Sequence, residues 1–173
     1  EKFVTEHAYE NPKFVEDVLG TGIPGAYFSG SDAYVGPLPP ADLIVASDRS
    51  VEVWVLNPSL DTEETLVAWA RRGSVRQNFV VNYGSHLTWG AAAHWDDDIG
   101  WGTTSAIPPI GQWHHFVYTY DGSLTVKFYV DGNLAITKTL GGVLNTFSGY
   151  PIEIGAQRSI DGNSLTLFLS GYI

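Results

Sequence analysis

The feature that most constrains the fold is a set of three strand-like segments separated by two Asp-Gly turns. Residues 113–120, 124–130 and 134–139 are rich in aromatic and β-branched residues, and Asp121-Gly122 and Asp131-Gly132 divide them. Asp-Gly between alternating apolar segments is a strong indicator of a β-hairpin. This half of the chain therefore predicts consecutive antiparallel strands.

The remaining sequence continues the same pattern of short strands and turns. Residues 51–56 have the two-residue period of a strand, and residues 26–28 and 33–35 look like two short strands joined by a polar turn. Further strands are predicted at 66–70, 78–83, 86–93, 151–155 and 165–169. About ten or eleven strands without an amphipathic helix or an internal repeat predict an all-β, antiparallel two-sheet sandwich.

The domain organisation predicted from this pattern is one domain over residues 1–173. Residues 1–20 form a lead-in segment, in which 13–19 is either a short helical turn or extended. The chain stops at Tyr172-Ile173, inside strand-like sequence. We therefore expect that the domain lacks its C-terminal strand, and that the sequence begins inside a longer precursor because it has no initiating methionine.

Charge and composition restrict the partners of such a domain. The chain has a net charge of −10, which disfavours phosphate backbones and anionic membranes, so we expect no nucleic acid partner. No segment approaches 18 consecutive apolar residues, so no membrane insertion is expected. The absence of cysteine excludes disulfides but does not fix the compartment.

Two motifs in the second half of the chain carry a family resemblance. The sequence Gly-Gln-Trp-His-His-Phe-Val-Tyr-Thr-Tyr-Asp-Gly at 111–122, followed by Phe-Tyr-Val-Asp-Gly at 128–132, resembles the hallmark of laminin G-like domains. These domains belong to the concanavalin A-like lectin and glucanase superfamily. Flanking segments at 27–35, 50–55, 152–156 and 168–173 agree, so the resemblance covers roughly residues 20–173.

The resemblance implies a jelly-roll sandwich that binds ligands at a concave face or at the loop rim, where many members hold a calcium ion. Family members are commonly carbohydrate-binding or adhesion modules attached to larger proteins that are secreted or at the cell surface. A glycan or polysaccharide partner, tethering to further domains and an extracellular location are therefore expected. The fold alone does not identify the ligand, because it hosts many functions.

A cluster of tryptophan and aspartate between residues 94 and 102 is the candidate ligand-binding site. The apolar face of a sugar ring can lie on an indole, and carboxylates accept hydrogen bonds from its hydroxyl groups. The alternative is a structural loop in which one tryptophan folds inward and aspartates cap turns. Arg72, on a predicted strand end, could form a forked contact with a ligand carboxylate. The candidate residues are Arg72, His94, Trp95, Asp96, Asp98 and Trp101.

Calcium has two candidate positions in the sequence. Asp32, with carbonyl groups of Ser29 or Gly30, lies in a loop like those where the family places its ion, although Asp32 can equally be a turn residue. The three aspartates at 96–98 are the second position, where at most two side chains could reach one ion. His114 and His115 face opposite sides of a strand, so they cannot chelate one metal and are interpreted as structural.

A retaining glycosidase on this fold requires carboxylates about 5 Å apart, at alternating strand positions. Glu52 has Trp54 and Leu56 at the partner positions, and Asp96 and Asp98 have the right spacing but lie in a predicted loop. The sequence therefore favours a non-catalytic carbohydrate-binding or adhesion module. The alternatives are a jelly-roll glycoside hydrolase or polysaccharide lyase, and a domain that mediates protein–protein contacts.

Overall fold

The structure is a computed structural model that describes residues 12–173. Within these residues there are fourteen β-strands and three single turns of 3-10 helix, at Val18–Gly20, Ala41–Leu43 and Thr104–Ala106. No helix in this part of the chain has the length and apolar character needed to cross a membrane. The strands are β1 Lys13–Val15, β2 Gly25–Ser29, β3 Tyr34–Val35, β4 Arg49–Leu56, β5 Thr65–Trp69, β6 Phe79–Asn82, β7 Ala92–Ala93, β8 Trp113–Tyr120, β9 Thr125–Val130, β10 Asn133–Thr139, β11 Glu153–Ile154, β12 Gln157–Arg158, β13 Leu165–Thr166 and β14 Ser170–Tyr172.

A seven-stranded antiparallel sheet forms one layer, in the order β1-β2-β14-β4-β8-β9-β10. Its centre is the pairing of β4 with β8, which runs from Arg49 opposite Tyr120 to Leu56 opposite Trp113. The two Asp-Gly turns join β8 to β9 and β9 to β10, which confirms the consecutive antiparallel strands predicted for this region. Alternate residues of β4 and β8 point into the core, so their two-residue period reflects one buried face.

A five-stranded antiparallel sheet forms the second layer, in the order β3-β11-β5-β6-β7. In β6, Phe79 and Val81 join the main hydrophobic core, whereas Val80 packs with Ala68 and Ala93 on the opposite, outer face. The hairpin of β12 and β13 is held to this outer face by the ion pair between Arg158 and Glu153, at 2.7 Å. The hairpin covers part of the outer face and leaves a cleft beside it.

The Trp-His-His and Asp-Gly motifs are coupled through one carboxylate. Asp131 accepts a hydrogen bond from the His115 backbone N–H at 2.8 Å and pairs with His114 Nδ1 at 2.8 Å. His114 is buried, and its Nε2 donates to the Pro109 carbonyl at 2.8 Å. His115 faces outward and pairs with Glu52. The two motifs therefore occur together because Asp131 fixes the start of β8, and the histidines face opposite sides as predicted.

Two details of the sequence-based strand assignment are wrong. Residues 26–28 and 33–35 do not form a hairpin, because β2 pairs with β14 in one sheet and β3 pairs with β11 in the other. Residues 86–91 do not form the predicted strand, and their backbone turns at Gly90, whose N–H donates to the His86 carbonyl. In the lead-in, residues 1–11 lie outside the described part of the chain, and both predicted conformations occur, as β1 and as the turn Val18–Gly20.

Candidate ligand-binding site

A cleft with a volume of about 580 Å³ opens on the outer face of the five-stranded sheet, beside β7. This volume is within the range of roughly 300–1,000 Å³ that small-molecule sites occupy. Four of the six side chains predicted from the sequence line it, namely Arg72, Trp95, Asp96 and Asp98. Six further residues complete the lining, namely Glu63, Val75, Asn78, Trp89, Ala93 and Gln157.

One wall of the cleft is a tight turn that begins directly after β7. Trp95 and Asp96 have positive φ angles of 63° and 83°, a left-handed conformation that is uncommon for residues with a side chain. The Asp98 carboxylate stabilises the turn, because its Oδ1 accepts the backbone N–H groups of His94 and Trp95 at 2.8 and 2.9 Å. Burial raises the pKa of Asp98 above its ordinary value. The turn therefore holds the half-buried Trp95 indole and the exposed Asp96 carboxylate at the cleft.

Arg72 lies against this wall, with its guanidinium carbon 5.4 Å from the centre of the Trp95 ring. A guanidinium over an indole face makes a favourable cation–π interaction of about 0.5–1 kcal/mol where the pair is exposed to solvent. Arg72 comes from the end of β5, and the backbone N–H of Arg72 donates to the Arg158 carbonyl of β12 at 3.3 Å. The contact fixes the orientation of the Trp95 ring relative to the sheet.

Asp97 faces away from the cleft. Its carboxylate forms an ion pair with Arg76 at 2.8 Å and accepts the backbone N–H of Gly141 at 3.0 Å. The three consecutive aspartates thus have different roles, and they do not converge on a common point. Of the three, Asp96 and Asp98 line the same cleft, so the calcium position that the sequence allowed at residues 96–98 stays a prediction that involves at most these two side chains.

His94 and Trp101 do not belong to the cleft, which corrects their assignment as ligand-binding residues. His94 is fully buried, and its ring lies between the Asp97 carbonyl and the Tyr118 hydroxyl, each at 2.9 Å. Trp101 is 5% exposed and donates its indole N–H to the Gly84 carbonyl at 2.8 Å. The alternative of a structural loop therefore applies to part of this segment, since Trp101 folds inward and Asp98 caps the turn.

The floor of the cleft is a chain of hydrogen-bonded polar side chains. Gln157 Nε2 donates to Glu63 Oε1 at 2.8 Å and to Thr65 Oγ1 at 3.0 Å, and Asn82 Nδ2 donates to the same Glu63 oxygen at 3.2 Å. Asn78 Nδ2 is 3.4 Å from Gln157 Oε1. Because three separate segments supply these residues, no local sequence pattern could have identified the floor.

Asn78 differs from its neighbours in the floor. Its side chain lines the cleft and is 2% exposed, and its Oδ1 has no hydrogen-bond donor among residues 12–173. A buried acceptor without a donor costs about 1–3 kcal/mol.

The opposite wall is formed by Trp89, which the sequence-based interpretation missed. Its indole is stacked on the His86 ring, with 3.2 Å between the ring centres and 10° between the planes. The Trp89 carbonyl accepts a hydrogen bond from Asn82 Nδ2 at 3.2 Å. No local pattern in the sequence marks Trp89, because its place in the cleft depends on residues from other strands.

The predicted calcium position at Asp32 is at the crossing between the two sheets. Asp32 is 3% exposed, and its Oδ2 accepts the Ser29 backbone N–H at 2.6 Å. Its Oδ1 is buried without a hydrogen-bond partner in the described residues, and a cation would satisfy that oxygen. Within residues 12–173, no three His, Cys, Asp or Glu side chains cluster around a common position, so an ion at Asp32 would need backbone carbonyls, such as those of Ser29 and Gly30.

Three carboxylates line the cleft, namely those of Glu63, Asp96 and Asp98. Glu63 is held by two side-chain amides, and Asp98 is held by the backbone N–H groups of its own turn. Asp96 is the exposed carboxylate among the three that line the cleft. A retaining glycosidase needs an acid and a nucleophile about 5 Å apart on opposite sides of the scissile bond.

The two antiparallel sheets and the cleft on an outer face define a β-sandwich of the lectin type. The family model for laminin G domains, described as the concanavalin A-like lectin/glucanases superfamily, matches residues 29–173. The chain belongs to this superfamily, and the laminin G-like resemblance is confirmed. A search of curated proteins finds no match.

Several solved structures share the fold at low sequence identity. Domain 4 of AbnA, an extracellular GH43 arabinanase from Geobacillus stearothermophilus in complex with arabinotriose, has a TM-score of 0.64 at 20% identity, over 94% of this chain and 72% of that one. The mouse laminin alpha1 domains LG4-5 have a TM-score of 0.54 at 14% identity, over 95% of this chain and 41% of that one. The binding domain of Paraclostridial Mosquitocidal Protein 1 has a TM-score of 0.54 at 14% identity, over 99% of this chain and 45% of that one. The chain thus spans less than half the length of the laminin and mosquitocidal protein structures.

Proposed function

We propose that this chain is a non-catalytic carbohydrate-binding module and that the cleft beside β7 is its glycan-binding site. The observation that carries the proposal is the combination of Trp95 with Arg72 and Asp96 in one cleft. An indole packs against the C–H face of a sugar, and the Arg72 and Asp96 side chains that line the same cleft can hydrogen-bond to its hydroxyls.

The charged side chains at the surface of the cleft support a hydroxyl-rich ligand. The exposed Asp96 carboxylate is an acceptor that lines the cleft. Sugar hydroxyls donate as well as accept, so a ligand hydroxyl can donate to this carboxylate. Arg72 is the cation of the cleft wall and can donate to ring or hydroxyl oxygens.

The carboxylate arrangement supports binding over catalysis. Two of the three cleft carboxylates are already engaged by amide or backbone N–H groups, so neither is available as a free nucleophile. The arabinanase domain that shares this fold was solved in complex with arabinotriose. That likeness makes oligosaccharides the first ligands to test on this chain.

Binding is best measured by isothermal titration calorimetry with soluble trisaccharides of arabinose, xylose, glucose, galactose and mannose, together with a glycan array. We expect at least one glycan to bind and Trp95→Ala to lower its affinity by about tenfold or more, equivalent to about 1.4 kcal/mol. The matched control is Trp54→Ala, because Trp54 is 54% exposed on the seven-stranded sheet, away from the cleft. This control should bind like the wild type.

Two outcomes would overturn the proposal. If the array retains no glycan, or if Trp95→Ala binds as tightly as the wild type, then the cleft is not a glycan site and a protein-contact domain becomes the better interpretation. If the protein releases reducing ends from a polysaccharide and Asp96→Ala abolishes the release, then the chain is a glycosidase.

We also propose that the module works outside the cell as part of a larger protein and that it binds calcium at Asp32. The superfamily membership and the extracellular arabinanase with the same fold support the location. The buried Asp32 Oδ1 without a donor in the described residues supports the ion. Calcium at this position would stabilise the crossing between the sheets and would not contact the ligand in the cleft.

A further inference from the structure

The cleft has an indole at each end of β7. Trp89 precedes the two-residue strand Ala92–Ala93 by three residues, and Trp95 follows it by two. Both side chains line the same cleft, with Ala93 between them. The small side chain of Ala93 leaves the space between the two rings open.

The backbone attachment points of the two indoles are far apart. The Trp89 carbonyl is bonded to the side chain of Asn82, at one end of β6, and the Trp95 carbonyl accepts the backbone N–H of Arg76, beyond the other end. Asn78 and Asn82 are four residues apart, which in an extended strand corresponds to about 13 Å. The separation of the attachment points therefore exceeds the width of a monosaccharide.

Each indole has a second side chain packed on it that fixes its orientation. The His86 ring is stacked on Trp89, and the Arg72 guanidinium lies over Trp95. Rings held in this way lose little conformational freedom when a ligand binds, which favours affinity. Neither ring needs the other as a packing partner.

The polar floor is continuous between the two ends. Hydrogen bonds connect Asn78 to Gln157, Gln157 to Glu63, and Glu63 to Asn82, whose amide also holds the Trp89 carbonyl. Polar groups therefore follow the whole path from the Trp95 end to the Trp89 end. These side chains are buried under the cleft, so one continuous floor connects the Trp95 end to the Trp89 end.

We infer that the cleft binds a segment of at least two linked sugar residues, one stacked on Trp95 and another on Trp89. This inference rests on the proposed carbohydrate-binding function and specifies its ligand as an oligosaccharide. Trp89 is then a specificity-determining residue that senses chain length, because a single sugar can use one of the two rings and a longer chain uses both.

The test is a titration series of mono-, di- and trisaccharides of arabinose, xylose, glucose, galactose and mannose with the wild type, Trp89→Ala, Trp89→Phe and the control Trp54→Ala. For the sugar that binds, wild-type affinity should rise by about tenfold or more, equivalent to about 1.4 kcal/mol, between the monosaccharide and the trisaccharide. Trp89→Ala should lose this rise, and Trp89→Phe should keep part of it. Thermal unfolding of each variant establishes that it is folded.

The outcomes separate this inference from the proposed function. If no sugar binds, both are wrong. If sugars bind and Trp95→Ala weakens them, but affinity does not change with chain length or Trp89→Ala keeps the wild-type length dependence, then the cleft is a glycan site and the two-ring inference is overturned.

Discussion

The buried imidazole of His94 should make the stability of this domain depend on pH. Its Nδ1 faces the Asp97 carbonyl, which can accept but not donate, so the neutral ring carries its proton on Nδ1 and accepts the Tyr118 hydroxyl at Nε2. Burial lowers the pKa of His94 from its ordinary value of 6.5 to about 4, and the nearby positive charge of Arg49 acts in the same direction. The folded protein thus keeps His94 neutral where the unfolded chain is protonated.

The size of the effect follows from the two pKa values. Between pH 6.5 and about 4 the unfolded state binds one more proton than the folded state at this site, so stability falls as pH falls. Each pH unit in this interval is worth 1.36 kcal/mol. The loss from neutral pH to about pH 4 is therefore about 3 kcal/mol, a large share of the 5–15 kcal/mol typical of a domain.

Urea unfolding of the wild type and His94→Gln at about pH 7, 5.5 and 4 measures this loss. Glutamine keeps a donor for the Asp97 carbonyl and an acceptor for the Tyr118 hydroxyl but does not titrate. Burial raises the pKa of Glu64, so this residue contributes more to the stability of the folded protein as pH falls. Because Glu64 is present in both proteins, its contribution cancels in the comparison. The wild type should lose about 3 kcal/mol more than His94→Gln. Parallel losses in the two proteins would refute the reasoning.

Three further predictions concern the cleft, the ion and the fold. Asp96→Ala should lower the affinity for the bound glycan by about tenfold, measured by calorimetry, because it removes the exposed acceptor that lines the cleft; unchanged affinity would contradict this role. Calcium should raise the melting temperature of the wild type but not of Asp32→Ala. A wild-type melting temperature that changes with neither calcium nor a chelator would refute the calcium site. Gly155→Ala should destabilise the domain by about 3 kcal/mol or more in urea unfolding, because Gly155 has a φ of +84° and a methyl group there would collide with the Phe28 ring; near-native stability would argue against that packing.

The sequence predicts those parts of the fold that depend on neighbouring residues. The alternation in β4 and β8 and the Asp-Gly turns after β8 and β9 are local patterns, and the structure has these strands in the expected pairing. The supposed hairpin at 26–35 failed because β2 pairs with β14, more than 130 residues later. A polar turn between two short strands looks the same whether the chain returns to one sheet or crosses to the other.

The candidate site was predictable from sequence to the extent that it lies in one loop. Trp95, Asp96 and Asp98 line the cleft, but composition could not show that His94 and Trp101 from the same loop turn inward. Their direction depends on partners in other strands, Tyr118 for the imidazole and Gly84 for the indole. The floor has the same origin, because its residues come together through sheet pairing.

The inward half of the loop explains how its outward half can serve as a binding surface. His94 and Trp101 are anchored in the core, and Asp98 holds the intervening turn, so Trp95 is presented at the cleft before any ligand arrives. Such preorganisation reduces the entropy lost on binding. Free acceptors alone would not identify the site, because Asn57 and Asn82 also bury amide oxygens without a donor in the described residues. The Asn78 Oδ1 atom is buried in the same way, so the site is identified instead by the anchored Trp95 indole and the exposed Asp96 carboxylate at the cleft.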